Sequence, residues 1–308
     1  MLRSFFLYLS GSRRARRFLM ALPFATRVAS RFIAGETLDD AIRTVQTLNA
    51  KGLLVSLDHL GENVHTEADA TRAAQAYLDL LNRIAAMSVN SNISLKLTAL
   101  GLDVSEEVCI GNMRRILTRA QETNNFVRID MEGSAYTERT LRVFRTLREE
   151  YGFKNVGVVI QAYLFRSEAD VRELAAAGAN IRLCKGAYKE PPEVAFPLKA
   201  DVDANYIKLM QIYLEEPARA SGAYIGVATH DDHMIDATRE YVAAHQIGKD
   251  AFEFQMLYGI RPQAQEQLAA QGYKMRVYVP YGTEWYPYFM RRLAERPANV
   301  WFLLRHLV

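Results

Sequence analysis

From residue 53 onward the hydrophobic positions fall into short runs: LLVSL (53–57), ISLKL (93–97), VRIDM (127–131), VGVVI (156–160), IRLCK (181–185), YIGVA (224–228), FEFQML (252–257) and MRVYV (275–279). Each is rich in β-formers and gives way to polar residues, the pattern that buried parallel strands leave in a sequence. Between them lie stretches with apolar residues at helical spacing, among them EADATRAAQAYLDLLNRIAAM, TERTLRVFRTLREEY, SEADVRELAAAG and DDHMIDATREYVAAH. Strands alternating with helices predict βαβ units. Eight such units, with no Gly/Ser/Pro linker between them, predict an α/β fold: a (β/α)8 TIM barrel over residues 51–308, preceded by a helical N-terminal arm over residues 1–50. The alternative is an open doubly wound sheet, which carries a glycine-rich turn after its first strand; this chain has DHLGE there.

Size and charge agree with one barrel and exclude some functions. Half of the 308 residues are apolar, enough for a large core. The formal charge of +3 is too small for a strong polyanion binder, so no nucleic acid partner is expected. Cys109 and Cys184 match no metal or redox spacing, and no apolar run reaches membrane-spanning length, which together predict a cytoplasmic setting. The first segment is different. Seven arginines (Arg3, Arg13, Arg14, Arg16, Arg17, Arg27 and Arg31) precede the first acidic residue, Glu36. Two readings stand: amphipathic helices packed on the barrel, or an arm that makes peripheral contact with an anionic inner membrane face.

In such a barrel the chemistry sits where strands end and βα loops begin. The polar residues predicted there are Asp58 and Glu62, Lys96, Asp130 and Glu132, Gln161, Arg182, Lys185 and Tyr188, Thr229, His230 and Asp231, Gln255, and Tyr278. Lys96, Asp130 and Arg182 each interrupt an apolar run, where an unpaired charge is costly to bury. Mutual ion pairing explains any one of them; all three at one end of one barrel favour a site. In the last helix Tyr288, Arg291, Arg292 and Glu295 share one face at i, i+3, i+4 and i+7, and paired arginines can grip a small carboxylate. THDDH (229–233) offers His230 and His233, but with few other histidines nearby a contact to a cofactor phosphate or ribose suits it better, and no metal is expected.

These residues fall within blocks that resemble the proline dehydrogenase family over nearly all of 53–308. The blocks are VSLDHLGE (55–62), SLKLTALG (94–101), RIDMEG (128–133), QAYLFR (161–166), RLCKGAY (182–188), ATHD (228–231), FQMLYGIR (254–261), RVYVPYG (276–282) and YFMRRLAER (288–296). The resemblance implies a distorted (β/α)8 barrel with FAD at the C-terminal strand ends. It implies oxidation of L-proline to Δ1-pyrroline-5-carboxylate, the first step of proline breakdown to glutamate. Electrons would pass to a quinone, and a pyrroline-5-carboxylate dehydrogenase would act downstream.

Residue by residue, the resemblance implies that Lys96, Arg291 and Arg292 hold the proline carboxylate and that Asp130 supports this basic cluster. Tyr278 and Tyr288 wall the pyrrolidine ring, with Leu257 as an apolar contact. Arg182 stands beside flavin N5, Gln161 meets the pyrimidine edge, and Met131 with the Lys185–Gly186–Ala187 turn contacts FAD. Thr229 and His230 meet its ADP half, Glu295 buttresses the arginine helix, and Glu62 gates the ligand by pairing with Arg291. One departure is Cys184, where many relatives have valine; a small apolar-like side chain in a strand implies no redox role. Without the resemblance two rivals stand: a Schiff-base aldolase using Lys96 or Lys185, and a barrel that only binds.

Overall fold

The computed structural model describes residues 31–61 and 64–295, with the side chains of Arg291 and residues 293–295 outside the description. Eight parallel strands close in sequence order: β1 (Leu54–His59), β2 (Ser91–Leu95), β3 (Val127–Ile129), β4 (Val156–Gln161), β5 (Asn180–Cys184), β6 (Tyr224–Ala228), β7 (Phe252–Leu257) and β8 (Met275–Tyr281). β1 pairs with β8 from Leu54↔Arg276 to His59↔Tyr281, which completes the ring.

The helices form where the sequence supplies caps as well as an apolar face. α1 (Leu38–Asn49) and α2 (Glu67–Met87) both begin with capping boxes, Thr37 with Asp40 and Thr66 with Asp69, which satisfy amides that the first turn leaves open. α3 (Glu106–Glu122) is capped by Ser105. α4 (Ser134–Glu149), α5 (Ser167–Ala176), α6 (Lys199–Leu214) and the short α7 (Glu216–Ala220) follow. α8 (Asp232–Ala244) starts at Asp231, whose carboxylate accepts from the His233 amide. α9 (Pro262–Ala270) and α10 (Trp285–Glu295) complete the order.

Strand alternation divides the barrel into two environments. One set of side chains, including Val55, Leu57, Ile93, Leu95, Val127, Ile129, Ile181, Leu183, Ile225, Val227, Phe252, Phe254, Val277 and Val279, joins the apolar core with the helices. The alternate set is polar and equally buried: Ser56 and Asp58, Ser94, Arg128, Arg182, Glu253 and Gln255. Barrel interiors of this class are usually filled with branched apolar residues; here a hydrogen-bonded column of charge takes that place. At its lower level Arg276 pairs with Glu253 at 2.6 Å, and Arg128 donates to the carbonyls of Val158 and Asn180. Burial pulls the Arg128 guanidinium down to about 9.

Two apolar runs reach past their strands. ISLKL predicts a strand to Leu97, but β2 stops at Leu95 and the chain turns into a 3₁₀ segment, Thr98–Leu100. Leu97 and Leu100 are buried in that turn. VRIDM likewise outlasts β3, leaving Met131 on the wall of a cavity. Lys96 and Asp130 therefore stand just beyond strand ends, whereas the sequence places them inside the runs.

Candidate active site

A cavity of about 870 Å³ opens at the C-terminal ends of the strands. β8 sends in Tyr278 and β5 sends in Arg182. The residues following β2 and β3 supply Lys96, Asp130 and Met131. Gln161 ends β4, Leu257 ends β7, and Thr229 with His230 follows β6. The turn after β5 adds Lys185, Gly186 and Ala187, and α10 brings Tyr288 and Arg292 to the same space. Glu62 lies outside the described residues, as do the N-terminal residues 1–30 and the side chains of Arg291 and Glu295, so the roles expected of them have no structural counterpart here.

The charged residues are tied to one another as well as exposed to the cavity. Arg182 Nη1 donates to Asp130 Oδ1 at 2.5 Å and to Ser94 Oγ at 3.1 Å. The Tyr278 hydroxyl lies 2.6 Å from Asp58 Oδ2 and 2.9 Å from Asp130 Oδ2. Lys96 Nζ is 3.7 Å from Asp58, which also accepts from Tyr77 at 3.4 Å. Burial, reinforced by the Asp130 and Asp58 carboxylates, drives the Tyr278 phenol far above its ordinary value, so it stays a donor. The guanidiniums of Arg182 and Arg292 sit over the rings of Tyr278 and Tyr288 at 5.1 and 5.0 Å. Arg182 and Asp130 thus pair with each other, Lys96 pairs with Asp58, and Lys96, Asp130 and Arg182 all line the cavity.

The other end of the cavity is built from the loops after β5 and β6. Gly186 has φ +109°, a conformation that favours glycine, and a Cβ there would fall 2.5 Å from the Tyr163 ring. Lys185 Nζ is held between Asp203 at 2.5 Å and Asp231 at 2.6 Å. The bond from Lys185 is the main reason that the Asp231 carboxyl lies at about 2. An amine engaged by two carboxylates is poorly suited to attack a carbonyl, which counts against the aldolase reading for Lys185. His230 Nε2 accepts from the Leu257 amide at 2.9 Å, tying the loop after β6 to the end of β7. Cys184 is half-buried and its thiol is pushed up to about 12 by burial.

The donor and acceptor set can be tested against a flavin. Gln161 Nε2 donates to the Glu132 carbonyl at 3.1 Å, while Gln161 Oε1 is buried with no partner among the described residues. An orphaned buried acceptor costs about 1–3 kcal/mol. A flavin's pyrimidine edge presents the ring N–H that would satisfy it, so the residues fit that group.

The sequence profile of the family described as Proline dehydrogenase matches residues 41–305. The chain belongs to the proline dehydrogenase family. It is 46% identical over 309 residues to Proline dehydrogenase 1 of Bacillus subtilis (strain 168), covering 100% of this chain and 99% of that protein. It is 45% identical over 284 residues to the proline dehydrogenase of Deinococcus radiodurans, covering 91% of this chain and 90% of that one. Among solved structures, proline utilization A from Bdellovibrio bacteriovorus, inactivated by N-propargylglycine, superposes with a TM-score of 0.82 at 30% identity. The alignment spans 88% of this chain and 33% of that larger protein. The barrel therefore houses a proline dehydrogenase, an oxidoreductase of proline catabolism for which the family implies a flavin.

Several residues of the polar column in and beneath the cavity carry no role on sequence grounds. Asp58 and Gln255 stand out only as strand-end polar residues. Ser94, Glu253 and Arg276 are hidden inside runs that read as apolar. Their signal is the period of two: S-x-D in β1, E-x-Q in β7 and R-x-Y in β8 alternate with apolar neighbours.

Proposed function

We propose that this chain oxidises L-proline to Δ1-pyrroline-5-carboxylate with FAD as cofactor, hydride leaving C5 of proline for flavin N5 and the electrons passing on to a quinone. The observation that carries this reading is the meeting of Lys96, Arg182 and Arg292 with the rings of Tyr278 and Tyr288 in one cavity of a proline dehydrogenase family member. Lys96 and Arg292, with Arg291 next to Arg292 in sequence, would grip the carboxylate; a charge-assisted clamp fixes position as well as affinity. Tyr278 and Tyr288 would flank the pyrrolidine ring and exclude water. The cations make an ammonium unfavourable, so the amine binds neutral and its lone pair can form the C=N bond as the C5–H bond breaks.

When bound, the flavin supplies the two-electron acceptor. Arg182 would stabilise the negative charge that accumulates as hydride arrives. Gln161 would hold the pyrimidine edge, while Met131, the Lys185–Gly186–Ala187 turn, Thr229 and His230 would hold the remainder. No helix among the described residues is long and apolar enough to cross a membrane. A membrane-borne quinone would be met through the arginine-rich N-terminal segment, by attraction to anionic lipid.

The test is product formation with a soluble quinone. L-proline should yield pyrroline-5-carboxylate, trapped as its adduct with o-aminobenzaldehyde, one mole per mole of quinone reduced. Quinone reduction without that product would overturn the reading. N-propargylglycine should also inactivate the enzyme in a proline-protectable manner.

A further inference from the structure

Arg182 is the cation assigned to the flavin, and its own orientation needs an explanation. Of its three nitrogens, Nη1 is taken by Asp130 and Ser94, and Nε donates to Gln255 Oε1 at 2.5 Å. Gln255 Nε2 in turn donates to Glu253 Oε1 at 2.6 Å. Glu253 is gripped by Arg276 through both of its carboxylate oxygens, at 2.6 and 3.0 Å. Burial pushes the Glu253 carboxyl up, but Arg276, Gln255 and Arg128 together outweigh it and hold the group below its ordinary value, as a carboxylate. A carboxylate only accepts, so the amide must present its NH2 to Glu253 and its oxygen to Arg182. The lower ion pair thereby dictates which way the amide points.

The space for this arrangement is built into the strand between them. Gly226 on β6 is in register with Arg182 on one side and Glu253 on the other. A Cβ at Gly226 would fall 2.2 Å from Gln255 Nε2. The glycine inside YIGVA therefore leaves room for the amide to reach across beneath Arg182, a use of strand glycine for close approach.

We propose that Gln255 is a positioning residue of the reaction: it acts only through Arg182, orienting the guanidinium toward the flavin by passing on the fixed polarity of the Glu253–Arg276 pair. This rests on the assignment of Arg182 to the flavin made above. Gln255→Met keeps the side-chain volume and removes both hydrogen bonds. In the FAD-loaded enzyme it should leave flavin content and KM for proline within roughly threefold while flavin reduction by proline slows roughly tenfold or more, the size of effect that small misplacement produces. The flavin potential should also become more negative, a readout that does not depend on turnover.

The deciding comparison is a double-mutant cycle with Arg182→Met. If Gln255 works through Arg182, the double variant will be no slower than Arg182→Met alone; independent, multiplicative losses would overturn the proposal. An Arg182→Met enzyme that is as fast as the parent removes the reading on which the proposal rests, and the proposal with it. Should Met at 255 impair folding, Gln255→Glu places a second carboxylate against Arg182 at nearly constant volume; the potential should again move negative, and an unchanged potential would refute the coupling.

Discussion

Replacing Tyr278 with phenylalanine isolates one hydroxyl at the centre of the charge network. The ring stays, and with it the wall of the cavity and the surface beneath the Arg182 guanidinium at 5.1 Å. What disappears is the donor that bridges Asp58 at 2.6 Å and Asp130 at 2.9 Å. A phenol has one hydrogen, so the loss is that of one charge-assisted bond shared between two acceptors, about 1.5–3 kcal/mol. The carboxylates keep their other partners, Lys96 and Tyr77 on Asp58, Arg182 and Ser94 on Asp130, so the fold survives. For a domain of this size the loss corresponds to a fall in Tm of roughly 2–5 °C by calorimetry. Because the same carboxylates set the positions of Lys96 and Arg182, kcat/KM for proline should fall by about tenfold or more. A Tyr278→Phe protein with parental Tm and parental kcat/KM would refute the claim that this hydroxyl organises the site.

Three further outcomes follow from other parts of the molecule. Arg292→Met should raise KM for proline roughly thirtyfold or more, for a clamp arm worth on the order of 2–4 kcal/mol, while flavin content holds; equal loss of both would make Arg292 structural. His59 is packed against Tyr77 and Tyr281, and burial outweighs the Asp58 carboxylate to lower its pKa below the ordinary 6.5. Its neutral form is thus favoured in the folded state, the stability it lends is complete above pH 6.5 and erodes as pH falls below that value, and His59→Asn should lose less Tm than the parent between pH 7 and 5.5. Removal of residues 1–30 should abolish sedimentation with anionic liposomes yet preserve the barrel, since Phe32 and Ile33 are buried and must be kept; undiminished liposome binding would assign membrane contact elsewhere.

Much of the barrel was legible in the chain because local signals agreed. The segment EADATRAAQAYLDLLNRIAAM is α2 from end to end, and its Thr66–Asp69 capping box explains the sharp start. Strand ends were harder to read, since an apolar residue at the end of a run can face the core alone or the cavity as well: Leu97 does the first and Met131 the second. The strand-end charges were visible, but depth was not. Arg128, Glu253 and Arg276 look like Asp130 and Arg182 in sequence, and only the register separates the column's foundation from its cavity end. The Asp231 of THDDH proved to be a helix cap and a lysine partner. Flavin and proline came from the family resemblance, because neither leaves a mark in periodicity or charge alone.

The most direct test is anaerobic titration of the purified, FAD-reconstituted protein with L-proline, followed by its visible spectrum. The long-wavelength flavin band should bleach as proline is added and return on addition of a quinone. A protein that retains no flavin after reconstitution, or whose flavin spectrum proline leaves unchanged, would contradict the account.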